Sequence, residues 1–182
     1  RYTYDEVGNL VVAVDPRAAA YRTEYEYYAN NWQKSVTTAA GTPAAARLES
    51  AYDAAGNLKA VSGPRANPAT GEPYATRYDY DRAGRMVRVT DAENHRTEYE
   101  YDRLGNRMIE VGFSAAGVRE RETVTVYDGL GREAVVTDAV GRVTTYEYDE
   151  AGNLKTVRGP LRGANGSAAV TEYTYDGLNR QP

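Results

Sequence analysis

A hexapeptide that begins Tyr-Asp and carries Gly three residues after the Asp recurs along most of this chain, so the fold must be assembled from many copies of one small unit. It reads YDEVGN at 4–9, YDAAGN at 52–57, YDRAGR at 80–85, YDRLGN at 101–106, YDGLGR at 127–132 and YDEAGN at 148–153. Two degenerate copies, YYANNW from Tyr27 and YDGLNR from Tyr175, place Asn31 and Asn179 where the others have Gly. Asn tolerates positive φ better than most side chains, so the exceptions keep the same backbone requirement. The repeat tyrosines Tyr4, Tyr27, Tyr52, Tyr80, Tyr101, Tyr127, Tyr148 and Tyr175 are 21 to 28 residues apart, a fixed unit with insertions of variable length. We therefore read residues 1–182 as one array of about eight repeats. Because Arg1 lies within a repeat strand and Pro182 closely follows a turn, the array is expected to be a segment of a longer one.

Each unit has strand periodicity. In TEYEYD at 97–102, Thr97, Tyr99 and Tyr101 alternate with Glu98, Glu100 and Asp102, and TRYDYD, TTYEYD and TEYTYD repeat the pattern at 76–81, 144–149 and 171–176. The Asp-x-x-Gly step then supplies a reversal: Asp caps a type I turn with its own side chain, and Gly takes the left-handed conformation that closes a bulged hairpin. The structural turn residues are thus Asp5, Gly8, Asp53, Gly56, Asp81, Gly84, Asp102, Gly105, Asp128, Gly131, Asp149, Gly152, Asp176 and Asn179. After each turn the apolar residues sit three apart, as in Leu58 and Val61, Met86 and Val89, or Leu154 and Val157, which breaks simple alternation and predicts a bulge. Further turns such as DAEN at 91–94 and DAVG at 138–141 lead to the next strand. The segments 62–75 and 158–170, rich in Gly, Pro, Ala and Asn, read as long loops. The fold class that follows is all-β, with tandem antiparallel β-hairpin repeats in a continuous twisted sheet.

The aromatic residues are 17 Tyr against one Phe and one Trp. A sheet that prefers Tyr to Phe packs the ring body while giving the hydroxyl water or a backbone partner. Tyr99 and Tyr101 are expected on one face, stacked with Tyr78, Tyr80, Tyr146 and Tyr148 of neighbouring repeats. Trp32, in the degenerate second copy, reads as a packing or edge-shielding residue in preference to a sugar platform.

Chemistry-bearing clusters are sparse. His95 is the only histidine and stands in the turn sequence ENHR, with no cysteine anywhere and no Ser/Asp framework near it, so we expect no catalytic residues and no enzyme. The spaced aspartates lack the dense oxygen pattern of a calcium loop, so neither metal nor cofactor is expected. A net charge of −4 without a basic cluster argues against nucleic acid, and no apolar run is long enough for a membrane span. Strands near 1–5 and 171–176 would form exposed edges, and edge-to-edge self-association is expected.

The YDxxGR/N pattern, in register over practically the full chain, resembles the YD repeats of Rhs proteins, of the C component of bacterial toxin complexes and of teneurins. The resemblance implies a β-strip that spirals into a hollow shell, enclosing a polymorphic toxin in the bacterial members and presenting an adhesive surface in teneurins. No aspartate-bearing self-cleavage motif and no toxin domain accompany the repeats here. The function implied is a non-enzymatic wall segment of a secreted or cell-surface bacterial shell that encloses or presents a toxin. Its partners would be neighbouring repeats of the same longer chain and an enclosed toxin domain. The alternative is a surface-adhesion or carbohydrate-binding module that uses the Tyr-rich face or the long loops to contact glycans.

Overall fold

A computed structural model describes residues 1–16, 21–66, 73–162 and 167–181. Every regular element among them is a β-strand. The chain divides into two compact units, Arg1–Asn94 and His95–Pro182. The first holds β1 (Tyr2–Tyr4), β2 (Leu10–Val14), β3 (Arg22–Tyr27), β4 (Gln33–Ala40), β5 (Ala46–Tyr52), β6 (Leu58–Ala66), β7 (Pro73–Tyr80) and β8 (Met86–Thr90). The second holds β9 (Arg96–Tyr101), β10 (Arg107–Phe113), β11 (Arg119–Tyr127), β12 (Glu133–Thr137), β13 (Val143–Tyr148), β14 (Leu154–Arg162) and β15 (Ser167–Glu172). Within each unit every strand pairs antiparallel with the next in sequence, a plain meander.

The three-residue spacing of the apolar positions has a direct structural cause. Tyr52 pairs with Leu58, but Ala51 pairs with Ala60 and Ser50 with Val61, so Lys59 is an extra residue and Leu58 and Val61 share the face of Tyr52. The same slip follows the turn in the other six YD hairpins: it bypasses Val11, Lys34, Val87, Met108, Ala134 and Lys155. One bulge per repeat thus turns a spacing of three into a common face.

In the first unit this places Tyr25, Val36, Leu48, Val61, Tyr78 and Val89 on one face and Glu24, Glu26, Arg47, Glu49, Asp79 and Arg88 on the other. Small residues lie under the long charged arms: Ser35, 1% exposed, pairs with Glu26 and Glu49, while Arg47 crosses from β5 to the Glu26 carboxylate at 2.7 Å. The unit has no thick core. Among the described residues of the whole chain, the buried hydrophobic side chains are Ala40, Ala75 and Val111. A single sheet layer leaves the others half-buried or exposed, so its cohesion depends on hydrogen bonds between repeats as much as on burial.

The segments read as loops are shorter than expected. β6 and β7 extend into 62–75 through the pairs Ser62–Ala75 and Ala66–Pro73, and β14 and β15 extend into 158–170 through Leu161–Ala168 and Arg162–Ser167. Strand pairing of the flanking chain overrides the turn-rich composition there. The remainder, 67–72 and 163–166, lies outside the described residues.

Candidate functional site

The repeated chemistry of this chain is at its turns. In the copy at 101–106, the Asp102 N–H donates to the Asn106 carbonyl at 2.9 Å and the Gly105 N–H to the Asp102 carbonyl at 3.2 Å. This is a three-residue hairpin loop, a type I turn closed by a left-handed residue. Gly105 sits at φ 93°, and Gly8, Gly56, Gly84, Gly131 and Gly152 at 94°, 91°, 77°, 76° and 90°. Asn31 and Asn179 follow at 64° and 59°.

The aspartate does more than cap. One carboxylate oxygen, Oδ1, accepts the N–H groups of the residues two and four further on, at 2.9 and 2.8 Å from Leu104 and Asn106. The other, Oδ2, accepts from the side chain of that fourth residue: Asn Nδ2 at 2.9, 2.9, 2.8 and 3.0 Å for Asn9, Asn57, Asn106 and Asn153, or Arg Nε at 2.7 and 2.8 Å for Arg85 and Arg132. Arg180 repeats the bond to Asp176 at 2.8 Å. Asn and Arg share a planar N–H donor that reaches the carboxylate edge, which is why the repeat ends in either and in little else. The sequence pattern displays these residues, but Asp and Gly alone specify the reversal, so the role of the Asn or Arg emerges only from the structure. The side-chain bond from Asn57, joined by backbone N–H donors, holds the Asp53 carboxyl below its usual range. Backbone and side-chain bonds from Arg132 do the same for Asp128.

The same lock closes turns that lack the tyrosine. At 138–142 the Asp138 Oδ1 accepts from Val140 and Arg142, and its Oδ2 from Arg142 Nε at 2.6 Å. Asn94, φ 69°, takes the Gly position in the turn that Asp91 opens, and His95 is exposed just after it.

The repeat tyrosines hold successive hairpins together. The hydroxyls of Tyr27, Tyr80, Tyr127 and Tyr175 donate to the carbonyls of Leu10, Leu58, Arg107 and Leu154, each the first strand residue after the preceding YD turn, at 2.9 to 3.0 Å. Tyr52 and Tyr148 make the equivalent bonds to Gln33 and Glu133, both at 3.0 Å. Phe offers no such donor, which favours Tyr at these six positions. Burial pushes the hydroxyls of Tyr27 and Tyr80 above the usual tyrosine pKa. In the second unit, cations lie over two of the rings expected to stack. The Arg132 guanidinium lies 4.1 Å from the Tyr148 ring centre and that of Arg107 lies 5.3 Å from Tyr99. Arg107 is paired with Tyr101 and reaches across to the Tyr99 ring, while Arg132 comes from the turn that precedes β12.

Neighbouring turns also touch directly. Asn9 Nδ2 donates to Asn31 Oδ1 at 3.0 Å, and Asn153 Nδ2 to Asn179 Oδ1 at the same distance. The two copies that replace Gly with Asn therefore gain a bond to the preceding turn.

The RHS repeat family model matches residues 52–96, 80–112 and 127–164, more than half of the chain. The chain belongs to the RHS repeat family. Among solved structures, the TcdB2-TccC3 crystal structure superposes on 96% of this RHS repeat segment with a TM-score of 0.72 and 16% identity, a likeness in fold. The Photorhabdus luminescens Tc holotoxin pore covers 99% of the chain at 13% identity, with a TM-score of 0.44. This segment spans 11% and 13% of those chains. No curated protein matches it in sequence.

Proposed function

We propose that this RHS repeat segment is a non-enzymatic piece of wall in a secreted or surface-delivered bacterial shell that encloses or presents a toxin. The observation that carries the reading is the destination of the repeat's polar groups. The Asp carboxylate, the Asn or Arg donor and the Tyr hydroxyl of each repeat are spent on its own turn or on the neighbouring hairpin. A site that bound or transformed a substrate would leave some of them facing outward. A single-layer sheet with three buried hydrophobic residues among those described also suits a thin partition better than a globular catalyst. Among the described residues no helix is long and apolar enough to cross a membrane.

Protease protection of the longer protein that contains this segment tests the reading. The wall predicts that a linked cargo resists external protease, and that the Gly56→Val substitution, which disrupts a hairpin, makes the cargo cleavable. Cargo cut equally fast in both proteins would overturn it, as would a turnover activity that maps to these residues.

A further inference from the structure

The turn at 27–32 departs from the repeat at three positions together. Tyr28 stands where the others carry Asp, Asn31 where most carry Gly, and Trp32 where they carry Asn or Arg. The hairpin is kept: Tyr28 N–H donates to the Trp32 carbonyl at 2.8 Å and Asn31 N–H to the Tyr28 carbonyl at 2.9 Å. The carboxylate lock is gone, and the Trp32 N–H is met by the Asn30 Oδ1 at 3.2 Å. Where a chain abandons its own stabilising rule at one place, function is the first explanation to examine.

With Tyr52 of the next repeat, the new side chains build an aromatic corner. Trp32 lies 5.2 Å from the Tyr52 ring at 45°, and Tyr28 meets the same ring at 6.3 Å and 86°. Each ring is fixed. Tyr28 donates its hydroxyl to the Ser50 carbonyl and Tyr52 to the Gln33 carbonyl, both at 3.0 Å. Trp32 is seated on Gly56, so close that a side-chain carbon there would fall 2.8 Å from its Cζ2. All three rings line an open cavity of about 500 Å³, whose other walls are Ala29, Asn30 and Ala51.

We propose that this corner binds a quaternary ammonium group of the choline type. The face of an aromatic ring carries negative potential, and rings this close and this steeply inclined let one cation lie within about 6 Å of more than one ring centre. No Lys or Arg lines the cavity to repel a cation or to hold an anion. No carboxylate lines it either, so the N–H donors of a primary ammonium would lack their strongest acceptor. A quaternary ammonium has no N–H to satisfy, and its methyl groups suit the apolar walls of Ala29 and Ala51. The net charge of −4 on the chain favours the approach of a cation. A proline-rich peptide, by contrast, needs a groove that continues along the row of turns. The flanking turns carry Glu6-Val7 and Ala54-Ala55 where this one has Ala29-Asn30, with no ring among them.

Calorimetric titration of the 182-residue chain should show saturable, millimolar binding of choline and tetramethylammonium. Ethanolamine, and the neutral isostere of choline in which carbon replaces nitrogen, should bind at least about fivefold more weakly. Trp32 is the only tryptophan of the chain, so biosynthetic replacement by singly, doubly and triply fluorinated tryptophan changes this site alone. Fluorine withdraws charge from the ring face at nearly constant shape, and choline affinity should fall stepwise along the series. A packing role for Trp32 gives no such gradient. Tyr28→Leu keeps apolar bulk without the ring and should weaken choline binding at least about fivefold while urea unfolding stays cooperative. Tyr99→Phe in the second unit should leave binding unchanged. Co-sedimentation with phosphatidylcholine vesicles but not with phosphatidylglycerol vesicles would identify a lipid headgroup as the source of the group, and choline binding without vesicle binding would identify a free solute; either result upholds the site. The proposal is overturned if choline gives no saturable heat, if the neutral isostere binds as tightly, if fluorination leaves the affinity unchanged, or if only an oligoproline peptide binds.

Discussion

The turns at 27–32 and 52–57 are neighbours in one unit and share a backbone, yet they are held by different means. The second has Asp53, whose Oδ1 accepts from Ala55 and Asn57 at 2.9 Å each and whose Oδ2 accepts from Asn57 Nδ2. The first has no carboxylate and keeps the same two backbone bonds within about 0.2 Å of those at 52–57. The left-handed fourth position, φ 64° at Asn31 and 91° at Gly56, is what the two have in common. The hairpin is therefore specified by that conformation, while the aspartate adds strength. A repeat can give up its lock for another use as long as it keeps the residue that closes the turn.

The strongest way to break this comparison is at the shared position. Gly105 has open space around its Cα, so Gly105→Ala meets backbone strain alone and should cost about 1 to 2 kcal/mol. Gly56→Ala meets the same strain and also Trp32, a clash that adds about 1 to 3 kcal/mol of overpacking. Urea unfolding should show the Gly56 variant as the more damaged, and in a Trp32→Ala background the excess should vanish. Equal losses at Gly56 and Gly105 would mean that Trp32 moves freely and is not seated as described.

Removing the lock itself comes next. Asp53→Ala leaves the Ala55 and Asn57 N–H groups and the Asn57 carboxamide without their acceptor, but the turn is exposed enough for water to replace part of what is lost. The unfolding midpoint should fall by less than for Gly56→Ala, and the hairpin should survive, as it does without Asp at 27–32. Loss of the whole unit in this variant would show that the lock specifies the fold after all.

Much of this was legible in the chain. Period-two alternation gave the strands, Asp-x-x-Gly the reversals, and the spacing of Leu58 and Val61 pointed to a bulge, because each rests on local backbone geometry. The partners of the tyrosine hydroxyls could not be read, since Tyr80 finds the Leu58 carbonyl only once the register of β6 and β7 is fixed. What faces the Tyr148 ring is hidden for a related reason: it is Arg132, from the turn before β12, and that follows only from the register of the paired strands. DAVG at 138–141 is legible as a turn, but its complete lock is not, because Thr137 stands before Asp138 where the repeat signature has Tyr. The corner at Tyr28, Trp32 and Tyr52 draws on two repeats, and no single hexapeptide displays it.

A finer probe separates the tyrosine clasp from the turns. Tyr80→Phe keeps the ring and removes only the donor to the Leu58 carbonyl, so it should cost about 0.5 to 1.5 kcal/mol in urea unfolding. The turns at 52–57 and 80–85 should keep their slow amide exchange within that variant. A neutral result would mean that water takes the place of the hydroxyl, and that the bias toward Tyr has its origin elsewhere.

The smallest effect is expected on the charged face. Two hydrogen bonds from Arg47, at 2.7 and 3.1 Å, lower the pKa of Glu26 to about 2, with Lys34 3.6 Å away. An unfolded chain would return Glu26 to about 4.3. Because the folded pKa is the lower one, the ion pair stabilises fully above the unfolded value and loses its contribution as pH falls toward 2. The Glu26 side chain is 49% exposed, so water and salt screen the pair and its share of stability is small. The locked aspartates titrate in the same direction, which makes absolute acid sensitivity a poor measure of Glu26 alone. Arg47→Met isolates it by removing the cation while its methylenes still cover the β4 surface. The urea midpoint of the parent should fall more steeply than that of the variant between about pH 4.5 and 2, and the two curves should converge at high salt. Parallel curves at low salt would show that the Arg47 bridge adds nothing to stability, and would place the cohesion of this unit in its turns and tyrosine hydroxyls.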